Sequence, residues 1–218
     1  MTSRIGIMGG MFDPVHNGHM EVALSALNLL KLDQLRLVPC GLPNHRQEAL
    51  CSAQQRLHML ALAARHNDKL VVDSREVDRP GISYAYDTLL SLHEEDSDAI
   101  LVFILGVDAF NSLHQWHCWQ SLFGLCHFLV INRPGSVVDS QSEVGKELQK
   151  RQVFTADELF EQMAGSVLVL KNLNIDISSS LVRQRIYKHE SLEDLLAPEV
   201  ASYLIEHDLY VRNNQHTN

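Results

Sequence analysis

The sequence predicts an α/β fold built on a doubly wound parallel sheet, with a helical C-terminal extension. Three observations carry that reading. Short apolar runs of strand length alternate with amphipathic stretches long enough for helices, the order that right-handed crossovers between parallel strands produce. The run "AILVFILG" (99–106) is apolar throughout, as a strand covered on both faces must be. The first run, "RIGIM" (4–8), stops at Gly9 and Gly10 just ahead of a helical pattern, the kind of junction where such sheets bind ligands.

Each element has a local reason. Met20, Ala23, Leu24, Leu27 and Leu30 recur at helical spacing between Gly18 and Leu30. "QLRLVP" (34–39) reads as a second strand closed by Pro39, and the polar loop "CGLPNHRQEAL" follows. Ser52 and Gln55 form a capping-box pair ahead of the helical stretch "RLHMLALAA". "KLVVDSREV" (69–77) is expected as a strand and "YAYDTLLSLH" (84–93) as a helix. "CHFLVINRPG" (126–135) reads as a strand stopped by Pro-Gly, and "SVLVL" (166–170) as the last strand. "GVDAFNSLHQW" (106–116) is expected as a loop, and the polar stretch 136–165 as surface loop and helix. After residue 171 the pattern turns helical through "SSSLVRQRIYKH", "SLEDLL" and "APEVASYLIEHD", where Pro198 suits a helix start. With no repeat, low-complexity tract or linker, the chain is expected to form one domain over 1–218, about 172–212 being its helical C-terminal part.

Composition narrows the function classes. A net charge of −9 over 218 residues argues against non-specific binding to nucleic acid or anionic membrane, while a locally basic pocket still allows one small anion. No apolar run reaches the ~18 residues of a membrane span, and "MTSRIGIMGG" lacks a secretory pattern, so a cytoplasmic location is expected. Cys40, Cys51, Cys118 and Cys126 contain no CxxC pair, which is a poor zinc framework and suits reduced thiols.

Two motifs carry chemistry. In "GGMFDPVHNGH" (9–19), Gly9 and Gly10 permit close backbone approach to a ligand, and Pro14 fixes the loop. Gly18 and His19 open a helix whose unpaired N–H groups and dipole favour an anion, to which His16 and His19 can donate. A zinc pair is the competing reading, but no third ligand stands at suitable spacing. In "NIDISSSLVRQRI" (174–186), Ser178, Ser179 and Ser180 are helix N-cap candidates, and Arg183 follows near the positive end of the dipole, where a cation is disfavoured unless an anion offsets it. A triphosphate held between the two helix starts accounts for both motifs. If the strands ending at Gly10 and Gly106 are neighbours, Gly9, Gly10, His16, His19, Gly106 and Asp108 line one crevice.

"GGMFDPVHNGH" with "ISSSLVRQRI" resembles the HxGH and ISSxxxR motifs of the nucleotidyltransferase superfamily, whose fold is Rossmann-like. "LVPCGLPNHR", "SYAYDTL", "FILGVDAFNSLHQW" and "FLVINRPG" are similar to segments of bacterial nicotinate-nucleotide adenylyltransferases, over about residues 5–211. The resemblance implies adenylyl transfer from ATP to nicotinate mononucleotide, giving deamido-NAD and pyrophosphate, with Mg²⁺ carried on the ATP phosphates. It implies catalytic roles for His16, His19 and Arg183. ATP binding falls to Gly9, Gly10, Met11, Phe12, Gly106, Asp108, Ile177, Ser178 and Ser179. His45, Arg46, Thr88, Trp116 and Arg133 match substrate-binding positions. The expected protein is a monomer or homodimer.

Four positions depart from the family pattern. Asn44 stands where a second Pro is frequent, Ala85 where Thr is common, His117 where Tyr is frequent, and Asn132 where Arg is frequent. Asn44 is a mild change in loop stiffness, and the other three bear on the acceptor's fine preference, with nicotinamide mononucleotide or phosphopantetheine as rival acceptors. A catalytically silent nucleotide sensor on the same fold and a fragment of a class I aminoacyl-tRNA synthetase are the readings from other classes.

Overall fold

A computed structural model describes residues 2–44, 49–132, 137–170, 173 and 176–211. Seven strands form one sheet: β1 (Arg4–Gly10), β2 (Gln34–Pro39), β3 (Leu70–Val72), β4 (Ile100–Gly106), β5 (His127–Ile131), β6 (Gln152–Val153) and β7 (Val167–Leu170). Their order is β3-β2-β1-β4-β5-β7-β6, and every neighbouring pair is parallel. The helices among the described residues are α1 (Asn17–Leu30), α2 (Ala53–Ala64), α3 (Arg75–Asp78), α4 (Ala85–Glu95), α5 (Val107–Asn111), α6 (Trp119–Leu125), α7 (Glu143–Arg151), α8 (Ala156–Leu159), α9 (Ser179–Tyr187) and α10 (Pro198–Glu206). None is long and apolar enough to cross a membrane.

The central strands are apolar on both faces because both faces are covered. Successive side chains of a strand point to opposite sides. On β4, Val102 and Ile104 join one core cluster with Leu27, Leu30 and Met59, while Leu101, Phe103 and Leu105 join a second with Leu89, Phe110 and Phe128. β5 divides the same way, Leu129 and Ile131 against Phe128 and Val130. The C-terminal part packs on the first cluster through Val182, Leu195, Leu196, Val200, Leu204 and Leu209. The winding reverses between β1 and β4: β1 leads through α1 to β2 on one side, while β4 arrives on the other. That reversal opens a crevice at the carboxyl ends of the two strands.

Several elements differ from the sequence reading. The strand expected over 69–77 ends at Val72, because Asp73 accepts the Arg75 backbone N–H at 3.1 Å and turns the chain into α3. "SLEDLL" forms turns rather than a helix; Leu195 and Leu196 are buried, and the Leu195 carbonyl accepts the Asn17 N–H at 2.8 Å. The segment after β4 is helical from its first residue, as α5 and a 3₁₀ turn at Leu113–Gln115, where a loop was expected. The polar stretch 136–165 holds α7 and α8, and also β6, an edge strand on β7. The capping box at Ser52 is present: the Gln55 N–H donates to Ser52 Oγ at 3.2 Å, and the Ser52 N–H to Gln55 Oε1 at 2.9 Å.

Candidate active site

The loop leaving β1 is built to be rigid. Phe12 adopts φ 49, a left-handed backbone that a bulky residue rarely takes, and its side chain is fully buried. Its ring meets the edge of His19 with centroids 5.0 Å apart. His16, extended at φ −145, caps α1, and its carbonyl accepts the His19 N–H at 2.9 Å. In return the His16 backbone N–H donates to His19 Nδ1 at 3.2 Å. With Nδ1 accepting, the neutral His19 ring carries its proton on Nε2. The two imidazoles stack with centroids 3.7 Å apart.

The crevice has two lobes. One, of about 370 Å³, is lined by Phe12, His16, Gly18, His19, Gly106 and Asp108, with Ser179 from the start of α9. The other, of about 300 Å³, is lined by Cys40, Glu76, Ser83, Tyr84, Ala85 and His117 among others. Gly9, Gly10, Met11, Phe103 and Trp116 line both, so the glycine pair is the floor where the lobes meet. The first lobe carries two imidazoles and, from its lining, one carboxylate, Asp108; this local balance departs from the chain's net charge of −9.

The second motif docks against the first. Ser178 caps α9, its Oγ accepting the Leu181 N–H at 3.2 Å. The Ser179 hydroxyl donates to the Pro14 carbonyl at 2.9 Å. Arg183 donates to the Asp13 carbonyl at 2.6 Å and to Ser180 Oγ at 3.2 Å. A protein carbonyl therefore supplies part of the compensation that the sequence reading assigned wholly to a bound anion. Those bonds use two of the guanidinium's five N–H groups. Ile177, Ser178 and Arg183 lie beside the crevice rather than in its lining. His45, Arg46 and Arg133 lie outside the described residues.

Thr88 stands one contact behind the second lobe: it is buried on α4, and its hydroxyl donates to Glu76 Oε1 at 2.7 Å. Glu76 itself lines that lobe and is not among the sites expected from the sequence, where "REV" reads as strand. Burial pushes the Glu76 carboxyl above its ordinary range, only partly opposed by hydrogen bonds from Thr88 and Ser83 and by the charge of Arg79.

The sign of the pH effect follows. Below ~4.3, the ordinary glutamate value, the group is protonated folded and unfolded alike and costs nothing. As pH rises through the higher folded pKa, the folded state must accept a buried charge and loses stability. Glu76→Gln escapes this, so its Tm minus that of the wild type is expected to become more positive from about pH 4 to about pH 8. Calorimetric melts across that range check it; a difference that stays flat with pH removes the buried charge from the account.

Over residues 7–185 the chain matches the cytidylyltransferase-like family. A curated relative from Aeromonas salmonicida (strain A449), "Probable nicotinate-nucleotide adenylyltransferase", is 38% identical over 210 residues, spanning 96% of this chain and 98% of the relative. The chain belongs to the nicotinate-nucleotide adenylyltransferase family. A relative of the same name from Marinomonas sp. (strain MWYL1) is 39% identical over 210 residues, 96% of this chain and 95% of its own. The Plasmodium falciparum nicotinic acid mononucleotide adenylyltransferase, solved complexed with NaAD, shares the fold at TM-score 0.75 and 21% identity, covering 97% of this chain and 98% of that one.

Proposed function

We propose that this nicotinate-nucleotide adenylyltransferase family member transfers the adenylyl group of ATP to nicotinate mononucleotide, releasing pyrophosphate and forming nicotinate adenine dinucleotide in NAD biosynthesis. The observation that carries the reading is the pair of lobes sharing one glycine floor. A two-substrate displacement needs donor and acceptor on either side of one phosphorus, and Gly9 and Gly10 stand at that boundary.

The acceptor's 5′-phosphate oxygen is already ionised, so no general base is required. It bonds to the α-phosphorus of ATP while the bond from that phosphorus to the bridging oxygen breaks, and the electron pair leaves with pyrophosphate. In this reading His19 Nε2–H, the His16 imidazole and Arg183 take up the charge that moves onto the leaving group. Ser179 and Asp108 border the ATP side, and Trp116 stands between the lobes.

In this reading Mg²⁺ would enter on the ATP phosphates as part of the substrate and, when bound, would neutralise phosphate charge.

The second lobe is assigned to the acceptor; Asn44, Ala85 and His117, three of the four departures from the family pattern, line it, and His117 packs at a tilt on Tyr84 with centroids 4.6 Å apart. Nicotinate and nicotinamide differ by one charge, and a charge-assisted hydrogen bond is worth ~1.5–3 kcal/mol, a ten- to hundredfold preference. Pyrophosphate release from ATP-Mg²⁺ is therefore expected to run at least about tenfold faster with nicotinate mononucleotide than with nicotinamide mononucleotide or phosphopantetheine. A preference for nicotinamide mononucleotide would place the acceptor's identity in those departures. No release with any acceptor would overturn the enzyme reading and leave a nucleotide sensor.

A further inference from the structure

The loop that carries His16 and His19 is held from below by residues that touch neither lobe. Asp13, buried, is the hub. Its carboxylate accepts the backbone N–H of Leu50 at 2.8 Å and of Cys51 at 3.2 Å, and the hydroxyl of Tyr210 at 2.5 Å. Its backbone carbonyl accepts Arg183 at 2.6 Å. Tyr210 reaches Asp13 from 197 positions away, beyond the end of α10.

The chain is bent to make this contact. Tyr210 sits at φ 62, a left-handed conformation that an aromatic residue rarely adopts, so tertiary contacts must hold it there. Burial and the bonds to Asp13 and Cys51 keep its phenol protonated far above the usual tyrosine range, so the hydroxyl stays a donor. A carboxylate buried at this depth needs every donor it has. Loss of one lets the Asp13 peptide shift, and with it the carbonyl that aims Arg183 and the loop that aims His19.

We propose that Tyr210 is a positioning residue for adenylyl transfer, acting through Asp13 on Arg183 and the histidine loop. This rests on the reaction proposed above. Because the charge facing these groups grows as pyrophosphate leaves, misaiming them is expected to lower kcat more than it raises KM.

The test is Tyr210→Phe, which keeps the ring and removes the hydroxyl. Pyrophosphate release is measured at 25 °C with ATP-Mg²⁺ and nicotinate mononucleotide each varied, and folding is checked by a melt. The expected result is a drop of about tenfold in kcat with both KM values within about twofold of wild type, the scale of a small misplacement of reacting groups. A merely structural tyrosine would lower Tm and leave kcat unchanged, and kcat within about twofold of wild type overturns the proposal. Asp13→Asn probes the link from its other end, and the double variant is expected to lose no more than the worse single, whereas multiplicative losses refute action through Asp13. Should one variant fail to fold, the other decides by the same kcat and KM. Release by the wild type is the control: its absence sinks the reaction and this inference together, while normal kinetics in Tyr210→Phe sink this inference alone.

Discussion

His19→Ala is expected to lower kcat for pyrophosphate release about 10²- to 10³-fold, the cost of losing one preorganised donor at developing charge. Alanine alone leaves two explanations, because His19 has a structural contact and a role in the proposed mechanism. Its Nδ1 accepts the His16 backbone N–H at 3.2 Å, which shapes the start of α1, and that bond leaves the proton of the neutral ring on Nε2, the proposed donor to phosphate. His19→Asn separates them. The asparagine oxygen stands close to where Nδ1 stood and can still accept the His16 N–H, but nothing reaches the Nε2 position. Asn is therefore expected to keep the melting temperature near that of the wild type while losing nearly as much activity as Ala. If Asn restores activity, the histidine acts by capping the loop and the donor role fails. The two rings also stack with centroids 3.7 Å apart, so substitution of either removes packing from the other.

The parts of this fold that were legible in the sequence are those whose cause is local. β4 announces itself because a strand covered on both faces is apolar throughout, β1 and β2 because short apolar-rich runs stop at Gly9-Gly10 and Pro39, and Ser52 and Gln55 announce α2 because a capping box is a four-residue event. The crevice was legible too, since the Gly9–His19 string and the Gly106 strand end need only be neighbours, and the order β1-β4 makes them so. Most of what escaped is non-local, α3 being the exception, since its cause lies between residues two apart. α3 replaces the second half of an expected strand because one carboxylate, Asp73, captures Arg75 by both its backbone and its guanidinium. Glu76 enters the acceptor lobe only because of that turn. Gly41 belongs here as well: a side-chain carbon on it would lie 2.0 Å from the Glu76 carbonyl, so the loop after β2 can pass α3 only with glycine at that point. Tyr210 and Asp13 are separated by almost the whole chain, and no window of sequence joins them.

The largest stability effect is expected at Arg56, whose burial the helical pattern of α2 does not announce. Arg56, Met59, Leu60 and Ala64 share the buried stripe of α2, and an arginine on such a stripe usually lays its stem on the core and returns its head to water. Here the head is buried as well, with 1% of the residue exposed. It donates to the Met11 carbonyl at 2.7 Å and the Cys40 carbonyl at 2.7 Å, with longer bonds to Gly41 and Cys51 at 3.4 Å. Met11 and Cys40 are the first residues after two adjacent strands and both line the acceptor lobe, Met11 the other lobe as well, so one guanidinium ties the floor of the site to its wall. Arg56→Met keeps the stem volume and strips the fork. Each buried carbonyl left without a donor costs ~1–3 kcal/mol, and the cation no longer desolvated returns part of that, so a net loss of about 3 kcal/mol is expected. At ~2–4 °C per kcal/mol for a chain of this size, Tm should fall by roughly 6–12 °C. Arg56→Lys retains the charge but has no planar fork to span two carbonyls, so it should recover only part of the loss. A melt of Arg56→Met within about 2 °C of wild type would mean that water or a repacked loop satisfies both carbonyls. In a folded Arg56→Met the same geometry predicts a larger rise in KM for nicotinate mononucleotide than for ATP, because Cys40 borders the acceptor lobe alone while Met11 lines both lobes.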